Sequence, residues 1–194
     1  MILFIDNYDS FTYNLVQLAG SINPDIRVVR NDVVTVSDVE KMNPSHIIIS
    51  PGPGYPKDAG ISEELVNKLK EKFVILGICL GHQGICEVMG AEIVHAKKLI
   101  HGKQTKVLIN TSDKIFKGLE KIIPVARYHS LIAKKETLPD SLEILSEDLQ
   151  GEIMAVKIKG CEVYGLQFHP ESILTPNGEI IMNNFLSIER SVNK

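Results

Sequence analysis

Four apolar residues, Ile2 to Ile5, are followed by the polar stretch Asp6-Asn7-Tyr8-Asp9-Ser10. A short apolar run bounded by turn residues predicts a strand, and the polar stretch predicts a loop able to cap a helix. Phe11, Leu15, Leu18 and Ile22 then recur at helical spacing. Ile26 to Val29 predicts a second strand. Ser37 and Glu40 stand in capping-box positions for a short helix ending near Met42. His46 to Ile49 predicts a third strand, running straight into Ser50-Pro51-Gly52-Pro53-Gly54. Ser62 is placed to cap the next helix, with Glu63 and Glu64 in its first turn and Leu65 and Leu69 on one face. Phe73 to Ile78 predicts a buried strand, and Gly81 opens a helix over His82 to Met89. Strands alternating with helices predict a parallel sheet covered on both faces.

After residue 90 the rhythm changes. Ala91 to His95, Gln104 to Ile109, Ile122 to Tyr128, Leu142 to Ser146, Glu152 to Ile158 and Val163 to Phe168 all read as strands, with little helix between them. Hairpins and antiparallel additions are expected here. Ile181, Phe185 and Ile188 mark a closing helix. The fold class expected is therefore α/β, an open, mostly parallel sheet with helices on both faces plus antiparallel additions. No repeat, low-complexity stretch or linker interrupts the chain, so one domain over residues 1–194 is expected. In open α/β sheets ligands sit beyond the carboxyl ends of the parallel strands. The Asp6 loop, the Pro51 loop and the Cys79 turn all fall at such ends, which puts them on one rim.

Composition narrows the class. At 44% hydrophobic and 23% charged residues the chain can bury a core without staples. A formal net charge of -3 gives no pull toward nucleic acid or an anionic membrane surface. No apolar run approaches the roughly 20 residues of a membrane span. Strand-like residues begin at once after Met1, without a basic leader, so no signal peptide is read and a cytoplasmic location is expected. Three cysteines, Cys79, Cys86 and Cys161, are an odd number at no metal-ligand spacing. This fits a reducing compartment and predicts no metal site.

The chemistry centres on residues 77 to 81. Gly77, Cys79 and Gly81 form G-x-C-x-G at a strand-to-helix turn, the sulfur counterpart of a nucleophile elbow. Glycine relieves the crowding of such a turn, and a thiol at a helix N-terminus is favoured as thiolate. A buried core cysteine is the plain alternative. A base is needed, and His169 is the best candidate among six histidines. It ends a strand and precedes Pro170, which favours extended backbone. His169 and Glu171 then point the same way, so that a carboxylate can orient an imidazole. The backbone N–H of Leu80 is one oxyanion donor by the same logic. The Gly52-Pro53-Gly54 loop offers a second from Gly52 or Gly54, because Pro53 has no N–H.

Four motifs in this order and spacing carry a resemblance. Gly-Ile-Cys-Leu-Gly-His-Gln (77–83), Ser-Pro-Gly-Pro-Gly (50–54), Arg-Tyr-His-Ser-Leu (127–131) and Gln-Phe-His-Pro-Glu-Ser (167–172) together resemble the class I glutamine amidotransferases over nearly the whole chain. Ile-Asp-Asn-Tyr-Asp-Ser-Phe (5–11) and Ser-Ile-Leu-Thr (172–175) are similar to the glutaminase subunits of chorismate-using synthases. The resemblance implies a flavodoxin-like three-layer fold. It also implies that Cys79 attacks the side-chain amide of L-glutamine, with His169 as base and Glu171 as its orienting carboxylate. Gly52 and Leu80 would hold the oxyanion. Gly52, Pro53, Gly54, Gln83, Ser130 and Leu131 would line the glutamine site. His82 and His129 are given structural roles, and Cys86 a place in the core.

No second domain or ATP motif is present to consume ammonia, so the acceptor chemistry is expected on another chain. By the resemblance that chain is the large subunit of a synthase, in a heterodimer or heterotetramer, and any Mg²⁺ belongs to it. Anthranilate synthase is the leading assignment and aminodeoxychorismate synthase the second. A stand-alone cysteine γ-glutamyl hydrolase is the remote alternative.

Overall fold

The computed structural model describes residues 1–96 and 102–190. Its first half is a run of strand–helix units. These are β1 (Ile2–Asp6), α1 (Thr12–Ile22), β2 (Ile26–Arg30), α2 (Val36–Met42), β3 (His46–Ile49), α3 (Ser62–Leu69), β4 (Val74–Ile78) and α4 (Leu80–Val88). β5 (Ile93–His95), β6 (Lys103–Ile109), β7 (Ile122–Arg127), β8 (Leu131–Ala133), β9 (Leu142–Asp148), β10 (Ile153–Ile158) and β11 (Val163–Leu166) follow, and α5 (Gly178–Leu186) closes the order. Nine of the strands form one sheet in the order β2-β1-β3-β4-β11-β10-β9-β6-β7, and β5 pairs with β8 apart from it. The α/β class and the mixed sheet expected from the sequence are both present.

Strand alternation builds the three layers. Along β1, Ile2 and Phe4 face a cluster with Leu15 and Ala19 of α1 and Ile181, Met182 and Phe185 of α5. Leu3 and Ile5 face the opposite cluster, with Val36 and Val39 of α2, Leu65, Val66 and Leu69 of α3, and Ile85 and Cys86 of α4. Side chains that point to opposite faces of a pleated strand therefore bury against helices on both sides, which is why β1, β3 and β4 read as unbroken apolar runs.

β11 is the seam. It pairs parallel with β4 and antiparallel with β10. β10–β9, β9–β6 and β6–β7 continue antiparallel to the far edge. That edge does not stay remote: Ala126 of β7 forms an antiparallel bridge to His169, three residues beyond β11. The antiparallel half curls until its last strand meets the chain leaving the seam.

Two caps differ from the sequence expectation. Thr35, not Ser37, caps α2, accepting from the Asp38 N–H while the Asp38 carboxylate accepts from the Thr35 N–H. Ser62 lies inside α3 rather than capping it. Its hydroxyl donates instead to Asn7 Oδ1 at 3.0 Å. The three-residue strand β8 is too short to show a period, and the sequence gives no sign of it. No helix among the described residues is long and apolar enough to cross a membrane.

Candidate active site

Cys79 lies between the last residue of β4 and the first of α4, with φ 51° and ψ -98°. Positive φ is costly for a residue with a Cβ, so the surrounding packing must hold it there. The neighbouring glycines show how. A Cβ on Gly77 would lie 2.4 Å from the Gly81 carbonyl carbon and oxygen, and one on Gly81 would lie 2.7 Å from the Ile49 carbonyl oxygen. Gly165 of β11, which pairs with Gly77, would press a Cβ to 2.7 Å from His82 Nδ1. Three glycines thus let the first turn of α4 descend onto the sheet. The Cys79 N–H donates to the Leu166 carbonyl at 2.8 Å, which ties the elbow to β11.

His169 and Glu171 come together as the alternation predicts. His169 Nδ1 lies 2.6 Å from Glu171 Oε1, with side-chain exposures of 3% and 1%. The ring packs edge-on against Phe11 and Tyr128, with centroids 5.8 and 5.0 Å away. Backbone contacts fix the segment: His169 N–H donates to Ala126 O at 3.0 Å, and the Thr175 hydroxyl donates to His169 O at 2.7 Å. Burial opposes charge on the imidazole, but Cys79 and Glu171 together outweigh it and push the pKa up to about 10. His169 Nε2 is buried without a hydrogen-bond partner, which leaves one ring nitrogen for chemistry on the Cys79 side.

A cleft of about 200 Å³ is lined by Gly52, Pro53, Gly54, Cys79, Gln83, Tyr128, His129, Ser130 and Leu131. Every residue expected at the glutamine site therefore borders one hollow with Cys79. Gly52 packs against the residue after the nucleophile: a Cβ there would lie 2.6 Å from Leu80 Cδ2. The loop carrying Gly52 hangs on a buried polar knot. Asn7 Nδ2 donates to Ser50 O at 2.8 Å, its Oδ1 accepts from Asn31 Nδ2 at 2.9 Å, and its N–H donates to Ser50 Oγ at 2.8 Å. Sequence reasoning gives Asn7 and Ser50 no role, although polar residues at the ends of buried strands are a signal for one.

Two further histidines near the elbow are neutral at pH 7. Burial drives His82 down to about 4. Burial first and the Arg127 charge second drive His129 down to about 3. Arg127 is the largest fully buried side chain among the described residues, paired with Asp148 at 2.6 Å and Glu152 at 2.5 Å. Nothing in its local sequence flags a buried cation. Cys86 lies in the core as expected. Among the described residues no group of three or more His, Cys, Asp or Glu side chains could hold a metal ion.

Comparison with known proteins agrees with this fold. The family model described as glutamine amidotransferase class-I matches residues 3–188. The aminodeoxychorismate/anthranilate synthase component 2 of Bacillus subtilis is 45% identical over 190 residues, covering 98% of this chain and 97% of that one. The anthranilate synthase component 2 of Pseudomonas putida is 44% identical, covering 96% of both. The bifunctional protein TrpGD of Thermotoga maritima is 47% identical, but there the match spans 97% of this chain and only 32% of the relative. A crystal structure of a Thermoplasma acidophilum protein described as a GMP synthase component superposes with a TM-score of 0.84 at 28% identity, covering 95% of this chain and 91% of that one.

Proposed function

This chain belongs to the class I glutamine amidotransferases, and from that premise we propose that it is the glutaminase subunit of a chorismate-using synthase. Cys79 attacks the side-chain amide of L-glutamine. His169 takes the thiol proton and delivers it to the leaving ammonia. A γ-glutamyl thioester remains on Cys79 until water, activated by the now neutral His169, releases glutamate. Glu171 orients the imidazole and stabilises its charged form. The backbone N–H groups of Gly52 and Leu80 meet the oxyanion. Gln83 accepts from the substrate's α-ammonium through Oε1, because its nitrogen is committed to Leu131 O and Gln167 Oε1. Ser130 and Leu131 complete the cleft.

What carries this reading is a strained Cys79 at the cleft that interacts with an imidazole whose second nitrogen is bound to a buried carboxylate. The leading acceptor system is anthranilate synthase. Its large subunit would hold Mg²⁺ and receive ammonia across the interface. Aminodeoxychorismate synthase is the second reading, favoured by the Bacillus subtilis relative, which is named for both.

The test is reconstitution with the large subunit, chorismate, Mg²⁺ and either glutamine or ammonium. Cys79→Ser is expected to abolish glutamine-dependent amination and leave ammonium-dependent amination unchanged. Loss of both in a folded complex would refute the role of Cys79. Anthranilate as product would assign the leading system, and aminodeoxychorismate the second.

A further inference from the structure

Gln167 is fully buried and sits two residues before His169. The register of β11 on β4 places it beside the nucleophile, because Leu166 pairs with Ile78 and the next residues along are Gln167 and Cys79. Its backbone is held by a hydrogen bond from its N–H to Met154 O at 2.9 Å. Its side chain reaches the sulfur, with Nε2 donating to Cys79 Sγ at 3.6 Å.

The orientation of that amide is forced by its partners. The Leu131 carbonyl can only accept, and Gln83 Nε2 donates to it at 2.9 Å. Gln83 must therefore turn its nitrogen inward. The same nitrogen donates to Gln167 Oε1 at 3.2 Å. With its oxygen turned to Gln83, Gln167 can present only N–H to the sulfur. The far end of the relay is fixed too. Arg127 Nε donates to His129 Nε2 at 3.0 Å, so the neutral ring carries its proton on Nδ1 and donates to Leu131 O at 3.1 Å. A guanidinium, an imidazole, a backbone carbonyl and two amides are aligned in sequence, and the last donor points at Cys79.

We propose that Gln167 is a further catalytic residue, a fixed N–H donor that stabilises the Cys79 sulfur as thiolate and aims it at the substrate amide. A donor to the charged form favours that form. An amide does this without adding a charge and without giving up a proton. When the thiol ionises its proton passes to His169 Nε2, the electron pair stays on sulfur, and Gln167 transfers nothing. The titratable and charged groups packed around the elbow include His169 and Glu171 after β11, His82 and Cys86 on α4, Arg127 at the end of β7 and His129 two residues beyond it. The proposal rests, for its catalytic meaning, on the reading of Cys79 as nucleophile.

The test is the pH dependence of Cys79 alkylation by iodoacetamide in the full-length chain, with the modified cysteine identified by peptide mass spectrometry. Gln167→Met keeps the length and removes the donor. Its alkylation midpoint is expected to move up by about one pH unit, with a roughly tenfold lower rate on the acidic limb, the size of a lost hydrogen bond to a charged acceptor. Gln167→Glu keeps the shape and can still accept from Gln83, but once ionised it presents only an acceptor to the sulfur, so its midpoint is expected to move at least as far. If Gln167→Met does not fold, Gln167→Glu decides. A wild-type midpoint in the folded variant overturns the proposal. The readout contains no glutamine, so it is separable from failure of the glutaminase reading, which would show as no glutamine hydrolysis by the reconstituted wild-type complex.

Discussion

Replacing Arg127 by methionine would remove the cation from a site that water does not reach. Arg127 is 1% exposed, and its Nη1 and Nη2 donate to Asp148 Oδ2 and Glu152 Oε2 at 2.6 and 2.5 Å. Asp148 Oδ1 is held independently by the N–H groups of Gln150 and Glu152 at 2.8 and 2.9 Å. Asp148 therefore cannot swing away in the variant, and two carboxylates are left without a counter-charge. Removing one side of a buried ion pair costs about 3–5 kcal/mol, a large part of a typical total of roughly 5–15 kcal/mol. The sign of the pH dependence follows. Burial raises the Asp148 carboxyl, but the Glu152 N–H and the Arg127 side chain prevail and hold it below the usual range. Its stabilisation is present above the ordinary carboxylate pKa of about 3.9 and is lost as pH falls through the depressed value. In Arg127→Met the Asp148 carboxyl loses the charge that lowers it, takes up a proton more readily on acidification and ceases to be an uncompensated charge. The deficit against wild type is thus largest near neutral pH and smaller at about pH 4. The chain has no tryptophan, so urea unfolding is followed by far-UV circular dichroism at both pH values. Arg127→Met/Glu152→Met, which removes one charge of each sign, is expected to recover part of the loss. A deficit under about 1 kcal/mol at neutral pH, or one equal at both pH values, would rule out an uncompensated buried charge as the cause.

Glu171→Gln keeps the contact to His169 Nδ1, now 2.6 Å, but removes the charge that helps hold the imidazolium. The imidazole, otherwise protonated until about 10, should lose its proton at lower pH. Glutamine-dependent turnover should fall by roughly 10²-fold or more, its alkaline limb should move to lower pH, and ammonium-dependent synthesis should persist. An unmoved alkaline limb would count against Glu171 as the orienting charge. Gly178→Ala would set a Cβ 1.8 Å from the Pro170 carbonyl oxygen, so α5 or the His169–Glu171 segment must shift. About 1–3 kcal/mol of lost stability is expected in a thermal melt, with reduced glutamine turnover. A variant with wild-type melting and turnover would show that α5 does not brace the segment.

The parallel half is legible because each strand is buried on both faces and each helix carries its own period. His46 to Ile49 can be read to the residue, and the alternation that joins His169 to Glu171 survives in the folded chain. The caps are less legible, since Thr35, Ser37 and Ser62 are equally good cap residues on paper. Only tertiary structure sends the Ser62 hydroxyl to Asn7, 55 residues away. β8 is invisible because its partner is β5, a separate three-residue strand. Gln167 stands in a motif with no role evident from the sequence, because its contact with Cys79 depends on the register between β11 and β4, which no local pattern encodes.

That register explains why the site lies at the seam. Parallel neighbours bring equivalent ends together, so the residues after β4 and β11 must emerge side by side, with Cys79 from one and Gln167 from the other. His169 needs a further fixing point, and the parallel half has none left, because β3 already flanks β4 on its other edge. The antiparallel half supplies it. By curling until Ala126 bonds His169, it brings β7 to the seam, and with it Arg127, His129, Ser130 and Leu131. The buried Arg127 ion cluster then lies where the curl closes, joining β7 to Asp148 of β9 and Glu152 just before β10. A loose closure would displace His169 through Ala126 and Leu131 O through His129 in the same movement. The triad and the floor of the glutamine cleft therefore depend on one mechanical element. This predicts that Arg127→Met, if it still folds, loses turnover and glutamine affinity together rather than either alone.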